Sequence, residues 1–503
     1  MRMLLICLLL LAAISSPACR STSNDRAETA RPNVVLILAD DLGWGELGCY
    51  GQQKIRTPNL DRLASQGLRF TQCYSGAPVC APCRNVLLTG RHLGHVTIRG
   101  NQPARDTNGK VVEGQHPIPA DALTIAEVFQ QNGYVTGAFG KWGLGPVGST
   151  GDPNAQGFDR FYGYNCQRVA HSYHPPHLWS DAEKVTINTS PIPGHARQPE
   201  GDITFADWSA DNYAPDLILA EAVQFLDDHA HDPFFLYLPF VEPHVAMQPP
   251  RSHVEAYPES WDDRPYRGQC GYTPHPRPRA GYAAMITDLD EHVGTILAKL
   301  EELGLEDDTL VMFTSDNGTT HGSGGDPVFG VGGVDSDFFH STGGLRGFKG
   351  SVYEGGLRVP MIARWPGKVP ANAVTDQATY FPDLFPTLCK FIGAEVPEGL
   401  DGDNIEVAML GIGTLAERKP MVWTFVEYGG QVAIRIDDWK VVQRGLKRQN
   451  GKPDPWEVFD LSSDPGETAN LASAHPELIE RAKQILREEM DDNPLFPLTI
   501  PDL

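Results

Sequence analysis

Short apolar runs rich in Val, Ile, Leu and Phe recur along this chain, and stretches of helical spacing separate them. Asn33–Leu38, Tyr134–Phe139, Phe234–Leu238, Thr309–Thr314 and Val359–Ala363 read as strands. They are apolar on successive residues, so a sheet built from them needs cover on both faces. Asn59–Gln66, Thr124–Gln131, Pro215–His229 and Gly281–Leu303 read as the helices that supply it. In the last of these Met285, Leu289, Val293, Ile296, Leu297 and Leu300 form one apolar stripe, which is core. The pattern predicts an α/β fold, a large mixed sheet flanked by helices.

From about Glu395 the texture changes. Val422–Glu427, Gln431–Ile436, Trp439–Gln443 and Trp456–Leu461 are strand-like and joined by tight turns such as Gly429-Gly430 and Asp437-Asp438, with a helix at Pro476–Met490. This predicts a smaller antiparallel α+β domain over 395–503, behind a main domain over 32–394. Ahead of both, Met1–Ala18 has Arg2, an apolar run and then small residues, which is an export signal and too short for a retained membrane span. Ser16-Pro17-Ala18 offers a signal-peptidase site. Cys19 offers instead a lipidated cysteine before the polar tether 19–31. Either route predicts an exported protein, whether periplasmic, lipid-anchored or extracellular.

The residues just past each strand carry the chemistry. The runs end in Ala39-Asp40-Asp41, Gly140-Lys141-Trp142-Gly143, Glu242-Pro243-His244 and Ser315-Asp316-Asn317-Gly318. Sites in open α/β sheets lie outside the carboxyl ends of the strands, so strands sharing a direction would gather these groups on one rim. Asp40, Asp41, Asp316 and Asn317 offer hard oxygen ligands, suited to Ca²⁺ or Mg²⁺ and not to zinc or copper. A cation is in demand here. With 41 Lys and Arg against 64 Asp and Glu the net charge is −23. That balance argues against nucleic acid and anionic membranes as partners, and it requires any anionic substrate to meet local cations or a metal. Lys141 and Lys349 lie among glycines and aromatics, as anion ligands do. His244 suits a general acid. In Cys80-Ala81-Pro82-Cys83-Arg84, a polar turn enters a short apolar helix, placing a cysteine at a helix N-terminus with a permanent cation one turn on.

The pattern C-x-P-x-R followed by Leu87-Leu88-Thr89-Gly90-Arg91 resembles the signature of type I sulfatases, arylsulfatase-like members of the alkaline phosphatase superfamily. The resemblance extends through Gly43-Trp44-Gly45, the segment Leu345–Pro360 and the C-terminal run from Trp456 to Leu471. It implies that a maturation enzyme oxidises Cys80 to formylglycine. It implies that Asp40, Asp41, Asp316 and Asn317 bind a divalent ion, usually calcium, which also contacts residue 80. Arg84 would position the aldehyde hydrate, Lys141 and Lys349 would hold sulfate oxygens, and His244 with Lys349 would serve the leaving oxygen. The implied substrate is a sulfated small molecule or glycan, a carbohydrate or aryl sulfate.

Two departures stand out. Many members carry His where this chain has Gly143, so Asp316 or another histidine takes the role of base; His171 is the first candidate and His174 the second. Cys83 stands where Ser or Ala is usual. Of nine cysteines two lie in the leader, and conversion of Cys80 would leave six, a number that permits disulfides without specifying any. Two other readings use the same fold: a phosphatase or phosphonate monoester hydrolase, and a non-catalytic glycan-binding relative with Cys80 unmodified. Gly148–Ser209, Gln248–Arg279 and Arg99-Gly100-Asn101 are expected at the pocket mouth, where loops set specificity.

Overall fold

In the computed structural model, strand β1 (Asn33–Ala39) is buried along its whole length. Its side chains alternate between two cores: Val34, Leu36 and Leu38 join one, Val35, Ile37 and Ala39 the other. The structure describes residues 31–415, 417–448, 452–501 and 503. The signal Met1–Ala18, the lipidation candidate Cys19 and all of the tether but Arg31 lie outside them. Among the described residues no helix is long and apolar enough to cross a membrane.

The other principal strands are β2 (Leu68–Tyr74), β3 (Val135–Lys141), β4 (Phe234–Pro239), β5 (Thr309–Ser315) and β6 (Arg358–Arg364). They form the centre of an 11-stranded sheet in the order β2-β6-β5-β1-β4-β3, which short strands extend on both sides. β5, β1, β4 and β3 are mutually parallel, while β6 runs antiparallel to both of its neighbours. The sheet is mixed, and the four strands whose ends carry polar motifs share one direction. Their ends are also in register: Ala39 pairs with Ser315, and Leu38 with Pro239.

Helix α1 (Cys80–Thr89) packs Val86, Leu87 and Leu88 into the core on one face of the sheet. The 25-residue helix α2 (Pro278–Glu302) covers the opposite face with the predicted stripe from Met285 to Leu300. The C-terminal sheet has four antiparallel strands, Met421–Phe425, Gln431–Ile436, Trp439–Arg444 and Glu457–Asp460. Alternation splits its faces. Val432, Ile434, Val441 and Val458 pack on helix α3 (Pro476–Glu489), whereas Trp423, Phe425, Ala433 and Phe459 join the main core beside α1. The seven cysteines among the described residues are all free thiols.

Candidate active site

Cys80 is the first residue of α1, and all ten residues of that helix are buried. Its predecessor Val79 is extended and supplies no side-chain cap. The cap comes from elsewhere: Asn101 Oδ1 accepts from the Ala81 N–H at 3.0 Å. Asn101, expected at the pocket mouth, also holds the helix end, with its own N–H donated to Glu427 Oε1 at 3.0 Å. Arg99 turns inward and donates to the Val96 carbonyl.

The four strand ends converge on this helix terminus. The Cys80 thiol donates to Asp40 Oδ1 at 3.4 Å, and Lys349 Nζ lies 3.6 Å from Cys80 Sγ. One turn along α1, Arg84 donates to Asp316 Oδ2 at 2.8 Å, to Asp40 Oδ2 at 3.2 Å and to the Lys141 carbonyl. Lys141 Nζ meets Asp40 Oδ2 at 2.5 Å, and Lys349 Nζ meets Asp41 Oδ2 at 2.8 Å. Three carboxylates therefore stand against three cations in a buried cluster, which satisfies the rule that buried charge be paired. The cations Arg84, Lys141 and Lys349 singled out in the sequence are thus brought to one place, each already paired with a carboxylate.

The loop after β1 is shaped for this. Asp41 adopts a left-handed backbone with φ of 66°. The Leu42 N–H donates to Ser315 Oγ, and the Gly43 N–H to Glu46 Oε2. A Cβ at Gly43 would sit 2.4 Å from the Ser341 carbonyl oxygen, so only glycine fits. Asn317 Nδ2 donates to Asp41 Oδ1 at 2.8 Å, and Asn317 Oδ1 is buried without a hydrogen-bond partner. Asp40, Asp41, Cys80 and His244 each offer a ligand atom within 4.8 Å of the others. An orphaned amide oxygen beside two aspartates is a donor set that suits a hard divalent cation.

The electrostatics follow from burial and pairing. Burial alone would raise Asp40, but Lys141, His244, Arg84 and Lys349 hold its carboxyl well below the usual range. Asp316 is pushed up to about 6 by burial and by Asp40, against the pull of Arg84. Burial and the Asp40 charge drive the Cys80 thiol up to about 12. His244 is held well below the ordinary imidazole value by burial, Lys349 and Lys141. Its Nδ1 meets the Val245 carbonyl at 2.5 Å, and its Nε2 lies 3.7 Å from Asp41 Oδ2.

His171 also reaches the site: its ring stacks on His244 with centroids 5.1 Å apart. His174 does not; its Nδ1 bonds to the Asn212 carbonyl, away from the cluster. Gly143 has φ of 92°, and the Gln167 side chain fills the space where a side chain at 143 would start, 2.6 Å from a notional Cβ. Beside the cluster opens a cavity of about 960 Å³ lined by Asn101, Gln115, Gln167, Arg168, His171 and His195. Gln167 and His195 lie in Gly148–Ser209, the segment expected at the pocket mouth, but were not named individually, since nothing local marks a residue whose role comes from packing onto another loop.

Residues 32–394 match the sulfatase family, and residues 347–493 match the C-terminal region of N-sulphoglucosamine sulphohydrolase. The chain belongs to the sulfatase family. Human arylsulfatase A is 34% identical over 504 residues, covering 92% of this chain and 88% of that one. N-acetylgalactosamine-6-O-sulfatase of Bacteroides thetaiotaomicron is 31% identical, covering 91% of this chain and 92% of its own length. Among solved structures, that of Ps i-CgsB in complex with k-i-k-neocarrahexaose aligns with a TM-score of 0.72 at 27% identity, over 91% of this chain and 93% of that one. This sulfatase is a sulfuric ester hydrolase of the alkaline phosphatase superfamily, and its mixed sheet with a four-stranded C-terminal sheet is the architecture of its relatives.

Proposed function

We propose that this sulfatase removes sulfate from carbohydrate sulfate monoesters, using formylglycine made from Cys80 and a divalent cation, calcium or magnesium. The observation that carries the reading is Cys80 at a buried helix N-terminus, in contact with both an aspartate and a lysine of the charge cluster. A thiol pushed up to about 12 holds almost no thiolate near neutral pH, so an unmodified Cys80 is a poor nucleophile there. Formylglycine at this position would supply a hydrated aldehyde, with one hydroxyl to attack sulfur and a second to expel the sulfate afterwards. Cys80 is 2% exposed in the folded chain, so a maturation enzyme has to act before α1 packs.

Asp40, Asp41, Asp316 and Asn317 would hold the cation, with Asn317 Oδ1 supplying the neutral ligand. Bound there, the cation would supply positive charge that stabilises the transferring sulfuryl group. Arg84 fixes the Asp40 and Asp316 carboxylates and so orients the cluster around residue 80. Lys141 and Lys349 exchange part of their aspartate contact for sulfate oxygens, preorganised donors in a water-poor site. Lys349 then faces the leaving oxygen, while His244, whose Nδ1 hydrogen is committed to the Val245 carbonyl, can donate from Nε2 only after taking up a proton. Carbohydrate substrates are favoured by relatives named for N-acetylgalactosamine-6-sulfate and by the neocarrahexaose complex of Ps i-CgsB, while an aryl sulfate fits the likeness to arylsulfatase A. The export signal at Met1–Ala18 and the cysteine at position 19 support a site of action outside the cytoplasm, soluble or lipid-anchored.

The test is to express the chain with a maturation enzyme, read the mass of the Cys80 peptide, and measure sulfate release from sulfated sugars and from an aryl sulfate. An aldehyde mass and metal-dependent release are expected, and Cys80→Ala abolishes turnover with the circular dichroism spectrum unchanged. A thiol mass with no release would identify a glycan-binding relative. Faster turnover of the matching phosphate ester would identify a phosphatase.

A further inference from the structure

His171 enters from a short turn, Val169–His171, and His195 from the loop before Gln198; both stand beside Tyr272, in the segment Gln248–Arg279. The His195 ring stacks on Tyr272 with centroids 4.4 Å apart, and His171 Nδ1 lies 2.8 Å from His195 Nε2. Tyr272 has a left-handed backbone, φ 66°, rare for a bulky residue. It donates its backbone N–H to His195 Nδ1 at 3.3 Å.

That last bond decides the protons. An amide N–H can only donate, so His195 Nδ1 must present a lone pair. Neutral imidazole carries one proton, and on His195 it therefore sits on Nε2, from where it donates to His171 Nδ1. His171 Nδ1 is thus an acceptor, and the single proton of His171 is left on Nε2, a nitrogen with no hydrogen-bond partner among the described residues. We infer that His195 is a positioning residue: it fixes His171 as the Nε2–H tautomer, so that His171 presents a hydrogen-bond donor, and not a base, to the sulfate ester. The inference rests on the sulfatase reading only for what His171 meets.

Two further observations support it. Burial and the charges of His244 and Lys141 lower the His171 imidazole, and partial desolvation with the Arg168 charge lowers that of the more exposed His195, both in the direction of the neutral ring. The approach of the two loops is also built in. A Cβ at Gly194 would sit 2.5 Å from the His171 carbonyl oxygen, so glycine is what lets His195 come so close. The base that Gly143 cannot supply is then not His171. His171 instead contributes a donor on the side of the cluster where the cavity opens, suited to an oxygen of the sulfate or of the departing sugar.

The test uses the full chain labelled with ¹⁵N-histidine, in which correlations from ring protons to ring nitrogens report the tautomer, and His171→Gln assigns the signals. Wild type is expected to show His171 protonated on Nε2. His195→Phe, which keeps the stack on Tyr272 but loses the donor, is expected to move the proton of His171 at least partly to Nδ1. In matured enzyme it should lower kcat/KM for 4-nitrophenyl sulfate about tenfold, the scale of one lost hydrogen bond, while His195→Gln, whose amide donates, recovers most of that loss. Wild-type His171 protonated on Nδ1, an unchanged tautomer in His195→Phe, or equal losses in the Phe and Gln variants would each overturn the inference. The tautomer measurement needs neither formylglycine nor turnover. Failure of the sulfatase reading would appear separately, as no sulfate release by any form of the protein.

Discussion

At the scale of single residues, Gly143 shows how one departure from the family pattern is locked in. Its φ of 92° is left-handed, and the Gln167 side chain occupies the space beyond it. Gln167 Nε2 is itself buried without a partner. Gly143→His therefore does not restore the familiar histidine; it meets a strained backbone and a filled pocket. Destabilisation of about 1–3 kcal/mol is expected, read as a lower melting temperature, with no gain in turnover. Lys349 is a residue whose loss bears on the chemistry as well as on the pairing of a buried carboxylate. It pairs with Asp41 at 2.8 Å and stands 3.6 Å from Cys80 Sγ. Lys349→Ala removes one preorganised cation, and kcat/KM is expected to fall by roughly 10²–10³. A loss below tenfold would take the leaving oxygen away from Lys349.

At the scale of elements, the site is a set of strand ends brought against one helix end. α1 has no cap of its own, so Asn101 does that work from a following loop. Asn101→Ala leaves the Ala81 N–H buried without an acceptor, and a loss of about 1–3 kcal/mol in denaturant unfolding is expected. This is also where reading the sequence stops. Asp40-Asp41, Lys141, His244 and Asp316-Asn317 were legible because apolar runs mark strands and a polar residue right after such a run has to lie at the sheet's rim. Asn101, Gln167, His195 and Tyr272 carry no such mark. Each acts on a residue remote in sequence, and only the packing of loops reveals the partner. The strands His177–Ser180 and Glu183–Thr186 escaped for a related reason: at the outer side of the sheet they are only partly buried and lack the two-sided burial that makes a run apolar throughout. The buried Arg160–Tyr164 is instead a five-residue run opened by Arg160 and interrupted by Gly163.

The loop after α1 is clasped to the C-terminal region in a similar way. His95 Nδ1 meets Asp401 at 2.9 Å, and His92 Nε2 meets Glu489, at the end of α3, at 3.3 Å. Burial would raise Asp401, but hydrogen bonding from His95 and the charges of His92 and His95 lower it; the bond from His92 lowers Glu489. A carboxylate lowered on folding stabilises the native state above its unfolded value, about 4, and that stabilisation is lost as pH falls through the lowered value. Melting temperature is therefore expected to drop below about pH 4, and the drop in that range should be shallower in Asp401→Asn. A variant as acid-sensitive as wild type would remove the clasp from the account.

At the scale of the whole molecule, a chain of net charge −23 processes an ester that is itself an anion. Two fields of different reach are involved. The long-range field repels the substrate on approach, whereas Arg84, Lys141 and Lys349 act at contact, 1%, 1% and 11% exposed respectively and shielded from solvent ions. Salt separates the two, because the screening length is about 30 Å at 0.01 M and about 8 Å at 0.15 M. Raising ionic strength over that range suppresses the repulsion while leaving the buried cations nearly untouched. For a monoanionic sulfate ester kcat/KM should thus rise severalfold and then level off, about the change expected from removing a weak long-range barrier to encounter, with kcat unmoved. Most sites that gather anions with exposed basic rims show the reverse, a steady fall with salt. A fall here would mean that cations at the cavity mouth, Arg168 first among them, steer the substrate in and outweigh the charge of the molecule behind them.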